Sequence, residues 1–554
     1  MSYKVGIDFG TCFSFIAYCT ENDGKPGIHI LINPVDRMPY EIPSVYFHGE
    51  KEKMRDLCGF EAIDHADSLR GSEDEAAYVV RHVKQQLSGP NDAWGSAPAD
   101  TSAAQNFELK GGTKSPKEIV ASFFRYFAAL ARESLHAEDH NELERQPNGE
   151  SIEAVIAVPV IFGEEERSVI IEAAQDAGIT VIGLIEEPVA IAIDYIEHLN
   201  KKDELEPVLV YDLGGGTVDV ACIKYHPDTA HEIELRGGTK VRIPTEKTYE
   251  VIVSTGRRIG GVKWDEILSE YILSRCEEEY KSPPIDDQAR PFHRRVTETK
   301  HILSKKDEIN MPFTYIDATN PIPQNRDVLI TRNTFEDKTA ALLSETLDCV
   351  RHISSRCGLK NGTKIRVVLS GGSSRMPQVR EGVLRILEEE MGVTVVNRKS
   401  MLYRHEKAVA LGATRYAQNL SPAQTTSMYG VALRDKRGQL SNETFLIDRG
   451  QALPVSPVEW TIPTPAETLS DATGEAEIVV LESYEKVPYY LNQTDRLISI
   501  PVKLESASPI KGTLSMQEGG VLKLTVTHPE TSGIETRFFS INTFPHPRRL
   551  KMKR

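Results

Sequence analysis

"VLVYDLGGGTVDVACIKY", residues 208–225, is an apolar strand that stops at an aspartate, turns through three glycines and a threonine, and leaves as a second apolar run. Glycines in a tight turn let backbone N–H groups point inward and admit a ligand that a Cβ would hold off. A concave set of such N–H groups is an anion site, and phosphate commonly uses one. An aspartate beside it repels phosphate unless a cation intervenes. Mg²⁺ keeps several waters and is held by one or two carboxylates together with phosphate oxygens. The stretch therefore points to hydrated magnesium held by Asp212 against a polyphosphate, with Gly214, Gly215 and Gly216 as the cradle.

Near the start, "VGIDFGTCFSFIAY" (5–18) repeats the plan: apolar strand, Asp8, a turn containing Gly10, then Thr11 and a second apolar run. One D-x-G-x-T reads as an ordinary turn. Two matched copies suggest two related halves facing each other across a cleft. Asp8 and Asp212 would then hold the metal through water, and Thr11 and Thr217 would offer hydroxyls to the terminal phosphate or to water. No G-x-x-x-x-G-K-[ST] occurs, so a P-loop is not the device.

The surrounding chain fits such a cleft. Up to about residue 418, strand signals at 4–7, 15–18, 154–158, 208–211, 218–225 and 365–369 alternate with amphipathic helix signals at 164–177, 188–200, 265–280, 336–357 and 379–391. That is an α/β pattern. From about 428 the texture changes to short alternating runs such as "AEIVVLES" and "VLKLTVTHP", the mark of an all-β unit reaching about 545. The polar joint 419–427 reads as a linker, 546–554 as a basic tail, and 89–114 and 137–150 as surface loops.

A third Gly-rich turn, "VVLSGGSSRMPQV" (367–379), sets Gly371, Gly372 and Ser373 between a strand and a helix that opens near Pro377. Glycines packed there would let a flat adenosine lie against backbone. Glu187 precedes Pro188 at a helix start, where it either orients water in the cleft or is simply an acid favoured at a helix N-terminus.

Bulk properties narrow the field. A chain of 554 residues exceeds one typical core. Its net charge of -16 argues against nucleic acid or an anionic membrane as partner. Seven cysteines without a CxxC spacing favour neither a disulfide framework nor a zinc site. No apolar run approaches the roughly 20 residues that span a bilayer, and the start lacks the pattern of a secretory signal. The expected compartment is the cytoplasm, with the nucleus also open.

Taken together, these motifs resemble the 70-kilodalton heat-shock chaperone family, within the actin-like ATPase superfamily. "GIDFGTCFS" is similar to its first phosphate motif and "DLGGGTVDV" to its second. "VLSGGSSRMPQV" resembles the adenosine motif, and "EEPVAIAIDY" and "EKAVALGAT" the two connecting helices. The resemblance covers nearly all of residues 1–418. It implies a two-lobed actin-like ATPase with duplicated ribonuclease-H-like subdomains, followed by a smaller all-β domain similar to a substrate-binding sandwich. The implied ligands are ATP or ADP and Mg²⁺; peptide or unfolded clients and co-chaperones are the implied partners.

Carried over by position, Asp8, Asp212, Glu187 and Asp219 surround magnesium and the attacking water, and Lys84 matches the catalytic lysine with one extra residue before the following glycine. Thr11, Cys12 and Thr217 fall beside the phosphates. Gly10, Gly214, Gly215, Gly216, Gly260, Gly371, Gly372 and Ser373 line phosphates and adenosine. Lys300 and Ser304 align with adenine and ribose contacts, Arg375 with an arginine packed on adenine, and a partner glutamate lands on Thr297 or Glu298.

The departures are specific. Cys12 and Phe13 stand for Thr and Tyr, Val262 and Lys263 replace an acidic pair, and the linker, helical lid and acidic C-terminal tetrapeptide of the family are not matched. The chain thus resembles a divergent, lidless branch. The leading expectation is an ATP-binding, slowly hydrolysing chaperone-like ATPase. A non-catalytic nucleotide-sensing scaffold with a partner-binding β-domain is the alternative, and a sugar or metabolite kinase of the same superfamily a third reading.

Overall fold

Two sheets of one plan carry the two hairpins. In the first, Lys25–Ile30, Phe13–Asn22 and Ser2–Asp8 run antiparallel, and Ser151–Val158 and Ile179–Glu186 then add in parallel beyond Ser2–Asp8. In the second, Thr248–Arg257, Val218–His226 and Val208–Leu213 are antiparallel, followed in parallel by Lys364–Ser370 and Thr394–Val395. Strand order and direction match one for one. The duplication read from two short motifs therefore extends through whole sheets.

This computed structural model describes residues 2–22, 25–32, 38–49, 56–68, 75–87, 106–110, 112–138, 151–199, 205–226, 230–234, 240–244, 248–280, 292–317, 320–403, 406–419, 428–435, 440–447, 455–463, 475–483, 489–490, 499–503, 509–516, 521–527 and 534–540. Residues 420–427 of the expected linker, the basic tail, and residues 89–105 and 139–150 of the expected loops lie outside them. Within the first loop region, Phe107–Leu109 and Gly112–Lys114 pair as a short hairpin.

The helices are α1 (Gly59–Ser68), α2 (Glu75–Tyr78), α3 (Pro116–Glu138), α4 (Glu164–Asp176), α5 (Glu187–Leu199), α6 (Gly261–Tyr280), α7 (Phe292–Leu303), α8 (Arg332–Arg356), α9 (Pro377–Leu384) and α10 (Ala408–Asn419). The long α3 opens on a capping box. Ser115 N–H donates to Glu118 Oε2 at 2.8 Å while Glu118 N–H donates to Ser115 Oγ at 3.2 Å, and Pro116 takes the first turn.

Each lobe has its own core. Ile7, Ile156 and Phe124 belong to the first, Tyr211, Trp264 and Val367 to the second. A third cluster joins them. There the other faces of both sheets, through Val155 and Val210, meet α5 and α10. These two helices cross so closely that a Cβ on Gly412 would overlap the Ala190 carbonyl. At one end the crossing is fastened by buried Asp194, which accepts from Arg415 Nε and from Tyr403 Oη, both at 2.8 Å.

After α10 comes an antiparallel β-unit of two sheets. Leu440–Ile447, Met428–Asp435, Glu475–Ser483 and Tyr489–Tyr490 pair in that order, with Ser499–Lys503 also on Glu475–Ser483. The second sheet orders Val455–Ile462, Ile510–Met516, Val521–Thr527 and Ile534–Ser540. Leu522, Leu524 and Val526 face inward at every second position, and one core takes side chains from both sheets. The last strand, Ile534–Ser540, lies alongside α4 of the first lobe. The architecture is a two-lobed actin-like ATPase fold with a C-terminal β-domain.

Candidate active site

Asp8 ends the central strand of its sheet, and Asp212 stands one residue before the end of its own. Asp8 is paired with Phe15 and Ala157, Asp212 with Asp219 and Ser370, so each sits at the carboxyl ends of parallel strands, where α/β sheets bind ligands. The turns beyond them meet across the cleft. A Cβ on Gly215 would stand 2.6 Å from Cys12 Sγ, and one on Gly216 would collide with Thr11 Oγ1 and lie 2.9 Å from Gln85 Nε2. Those atoms are side-chain ends that can swing aside, whereas a Cβ on Gly10 would overlap the Phe13 carbonyl and one on Gly260 the Gly215 backbone, so backbone itself demands glycine at those two positions.

The first turn is held from behind. Ser44 N–H donates to the Cys12 carbonyl at 2.8 Å and Ser44 Oγ to the Gly10 carbonyl at 2.7 Å. The second turn is built from three glycine segments stacked on one another. Gly261 and Val262 donate N–H to the Gly214 and Gly215 carbonyls at 2.9 Å, and Ser373 Oγ donates to Gly214 at 3.2 Å. Gly371 has φ +79°, and a Cβ there would overlap the Leu213 carbonyl and approach Asp212 Oδ1 to 2.7 Å. A Cβ on Gly372 would meet nothing within 4 Å, so space does not demand that glycine.

Acid crowds this floor. Asp212, Asp219, Glu187 and Lys84 are all buried, and Asp8 keeps part of its surface open. Lys84 Nζ donates to Glu187 Oε1 at 2.6 Å. Burial would lower the Lys84 pKa, but Glu187 and Asp8 outweigh it and the ammonium stays charged. Burial first, and the Glu187 charge second, push Asp8 up to about 7. Asp212 rises well above the carboxylate range for the same reasons, with Asp219 and Asp8 adding to the repulsion. Asp219 reaches about 8 even though Thr217 and the Val160 N–H, at 2.7 Å, donate to it. Its Oδ2 is buried without a partner. One lysine thus faces four carboxylates.

That surplus charge fits a divalent cation. Among the described residues no three His, Cys, Asp or Glu side chains converge to hold a metal directly. The donor set instead suits a hydrated ion held by Asp8 and Asp212 through water.

The adenosine side is less complete. Lys300 Nζ is fixed by the Gly261 carbonyl at 2.8 Å and by Asp265 Oδ2 at 2.9 Å. Thr297, not exposed Glu298, shares that carboxylate, donating to Asp265 at 3.1 Å. Ser304 Oγ donates to the Lys300 carbonyl one turn back. Arg375 is exposed and pairs with Glu406 at 2.7 Å. Lys263, where an acid was expected, pairs with Glu266 at 3.0 Å. Ser44, Gln85, Gly261 and Asp265 were not singled out from sequence. Only Gly261 carried a local signal, the doublet with Gly260.

The actin-like ATPase fold is the class that this architecture defines. The Hsp70 protein family model matches residues 99–441, more than half of the chain. The chain belongs to the Hsp70 family, whose members are chaperone-type proteins that bind ATP or ADP with Mg²⁺. The matched span takes in Glu187, Asp212, Lys300 and Gly371, and begins after Asp8, Thr11 and Lys84.

Proposed function

We propose that the chain is a slow, Mg²⁺-dependent ATPase whose nucleotide lies between the two glycine turns and whose β-unit engages peptide or unfolded clients. The observation that carries this reading is the facing of Asp8 and Asp212 over one acid-rich floor, flanked by turns in which Gly10, Gly260 and Gly371 leave no room for a Cβ. Phosphoryl transfer needs positioning and charge neutralisation more than covalent chemistry from the protein.

The chain's own residues divide that work. The N–H groups of residues 10–12 and of Gly215 and Gly216 receive phosphate oxygens, the Gly214 N–H being taken by the Thr217 carbonyl at 3.0 Å, and Lys84 sets a positive charge against them. Magnesium, when held by Asp8 and Asp212, supplies Lewis-acid neutralisation of the triphosphate. Thr11 and Thr217 place hydroxyls beside the terminal phosphate. Asp219 has one oxygen fixed by Val160 and one free of partners, and with Glu187 it orients water and receives its proton. Gly371, Ser373, Lys300, Ser304 and Arg375 border the nucleoside end. Co-chaperones would act on this cycle, in the cytoplasm or nucleus.

Steady-state phosphate release by purified protein tests the reading. Asp212→Asn is expected to lower turnover by about 100-fold or more, in line with loss of a major electrostatic group. An unchanged rate removes Asp212 from the mechanism. ATP binding with no phosphate release by the wild type would instead select a nucleotide-sensing scaffold.

A further inference from the structure

His82 is, among the described residues, the one non-glycine with positive φ, at φ 58° and ψ 32°. That left-handed conformation is unfavourable for a residue with a Cβ, and such residues gather where function over-determines them. His82 precedes the short 3-10 turn Val83–Gln86 that carries Lys84, and its carbonyl accepts from Gln85 N–H at 3.0 Å. Val80, Val83 and Leu87 anchor this segment in the first lobe's core. The His82 ring, however, lies within electrostatic reach of groups on the second lobe: Asp265 on α6, and His293 and Lys300 on α7, with Arg81 beside it in the chain.

Asp265 is the matching half. Its Oδ2 holds Lys300 and Thr297, whereas Oδ1 is buried and has no partner. A buried carboxylate oxygen without a donor is costly, and an imidazole N–H is the kind of donor that would satisfy it. We propose that His82 is a positioning residue that donates across the cleft to Asp265 Oδ1 when the lobes close on nucleotide, holding Lys84 of one lobe and Lys300 of the other on the same ligand.

This inference rests on the proposed nucleotide site and deepens it. The test is stopped-flow release of a fluorescent ADP, with Mg²⁺, from the full chain as wild type, His82→Gly, Asp265→Asn and the double variant. Glycine keeps the left-handed backbone without strain. Release from His82→Gly is expected to be about tenfold faster, as for loss of one bond to a charged group. In the double variant, release should exceed that of Asp265→Asn alone by less than about twofold, because the two groups act as a pair. His82→Asn, which tolerates the same backbone, separates loss of the latch from loss of fold: native melting with fast release supports the pair.

A pH series excludes a merely steric role. Burial keeps His82 neutral, so acidification from about pH 7.5 to about 6 begins to charge the ring and should slow release from the wild type relative to His82→Gly. Wild-type release rates in His82→Gly, multiplicative effects in the double variant, or identical pH profiles would each overturn the latch while leaving the nucleotide site standing. A wild type that binds no ADP would overturn both.

Discussion

Asp8, Asp212 and Asp219 share a floor too poor in cations for all of them to ionise, which makes stability depend on pH. Asp8 near 7 and Asp219 near 8 lie far above the ordinary 3.8, so between about pH 4 and 8 the folded form holds protons that the unfolded chain has released. That contribution to stability is complete below the unfolded pKa and is lost as pH rises through 7 and 8. The melting temperature of metal-free protein should therefore fall from about pH 6 to 8, beyond any change in an Asp8→Asn, Asp219→Asn variant. A bound divalent ion needs the ionised forms, so binding of magnesium nucleotide at about pH 6.5 should release protons, seen as a buffer-dependent heat in calorimetry. Heats independent of the buffer would contradict the crowding.

Glycine positions give a second contrast at this scale. Gly371→Ala must accept φ +79° and an overlap with the Leu213 carbonyl, and should cost about 2 kcal/mol or more in urea unfolding. Gly372→Ala should stay within about 1 kcal/mol of wild type, since nothing crowds it. Both glycines read alike in the sequence. Only the fold separates them, because the difference lies in a strand 158 residues earlier in one case and in open space in the other.

Among the elements, the hairpins and their strands were the most legible part. Each is a short apolar run broken by Asp and Gly, and every strand signal named from sequence falls in a strand. The five helix signals also hold, although the last continues from α9 into a wider π-type turn, Arg385–Glu390. Among the elements that escaped were α7 and α3, the latter beginning just past the loop read at 89–114 and ending inside the one read at 137–150, although its S-P-K-E opening is a capping signal. Also invisible were Ser44 and Asp265, which reach the site through contacts between distant segments.

The crossing of α5 and α10 is the element whose role is most open to test. Gly412→Val should push the helices apart at Ala190, destabilise the protein by about 2–4 kcal/mol and depress ATP turnover more than ATP affinity. Equal losses in turnover and affinity would place the crossing outside the catalytic geometry.

At the scale of the whole molecule, the bonds from Val160 N–H to Asp219 and from Arg258 to buried Glu166, at 2.8 Å, tie the lobes beside the floor. Glu166 lies on α4, the helix alongside the last β-domain strand. Movement between the lobes is therefore expected to reach the surface that meets the β-domain. Limited proteolysis at 419–427 should differ among ATP, ADP and no nucleotide, and Arg258→Ala should reduce that difference. Equal cutting in all states would mean that the halves are uncoupled.

Two facing glycine hairpins are proposed to hold a triphosphate through a divalent ion. Calorimetric titration of ATP, with Mg²⁺ and with chelator, into wild type and an Asp8→Asn, Asp212→Asn double variant tests it most directly. Binding by the wild type should require Mg²⁺, and the double variant should lose about 100-fold or more in affinity. Equal affinity with chelator, or in the double variant, would contradict it.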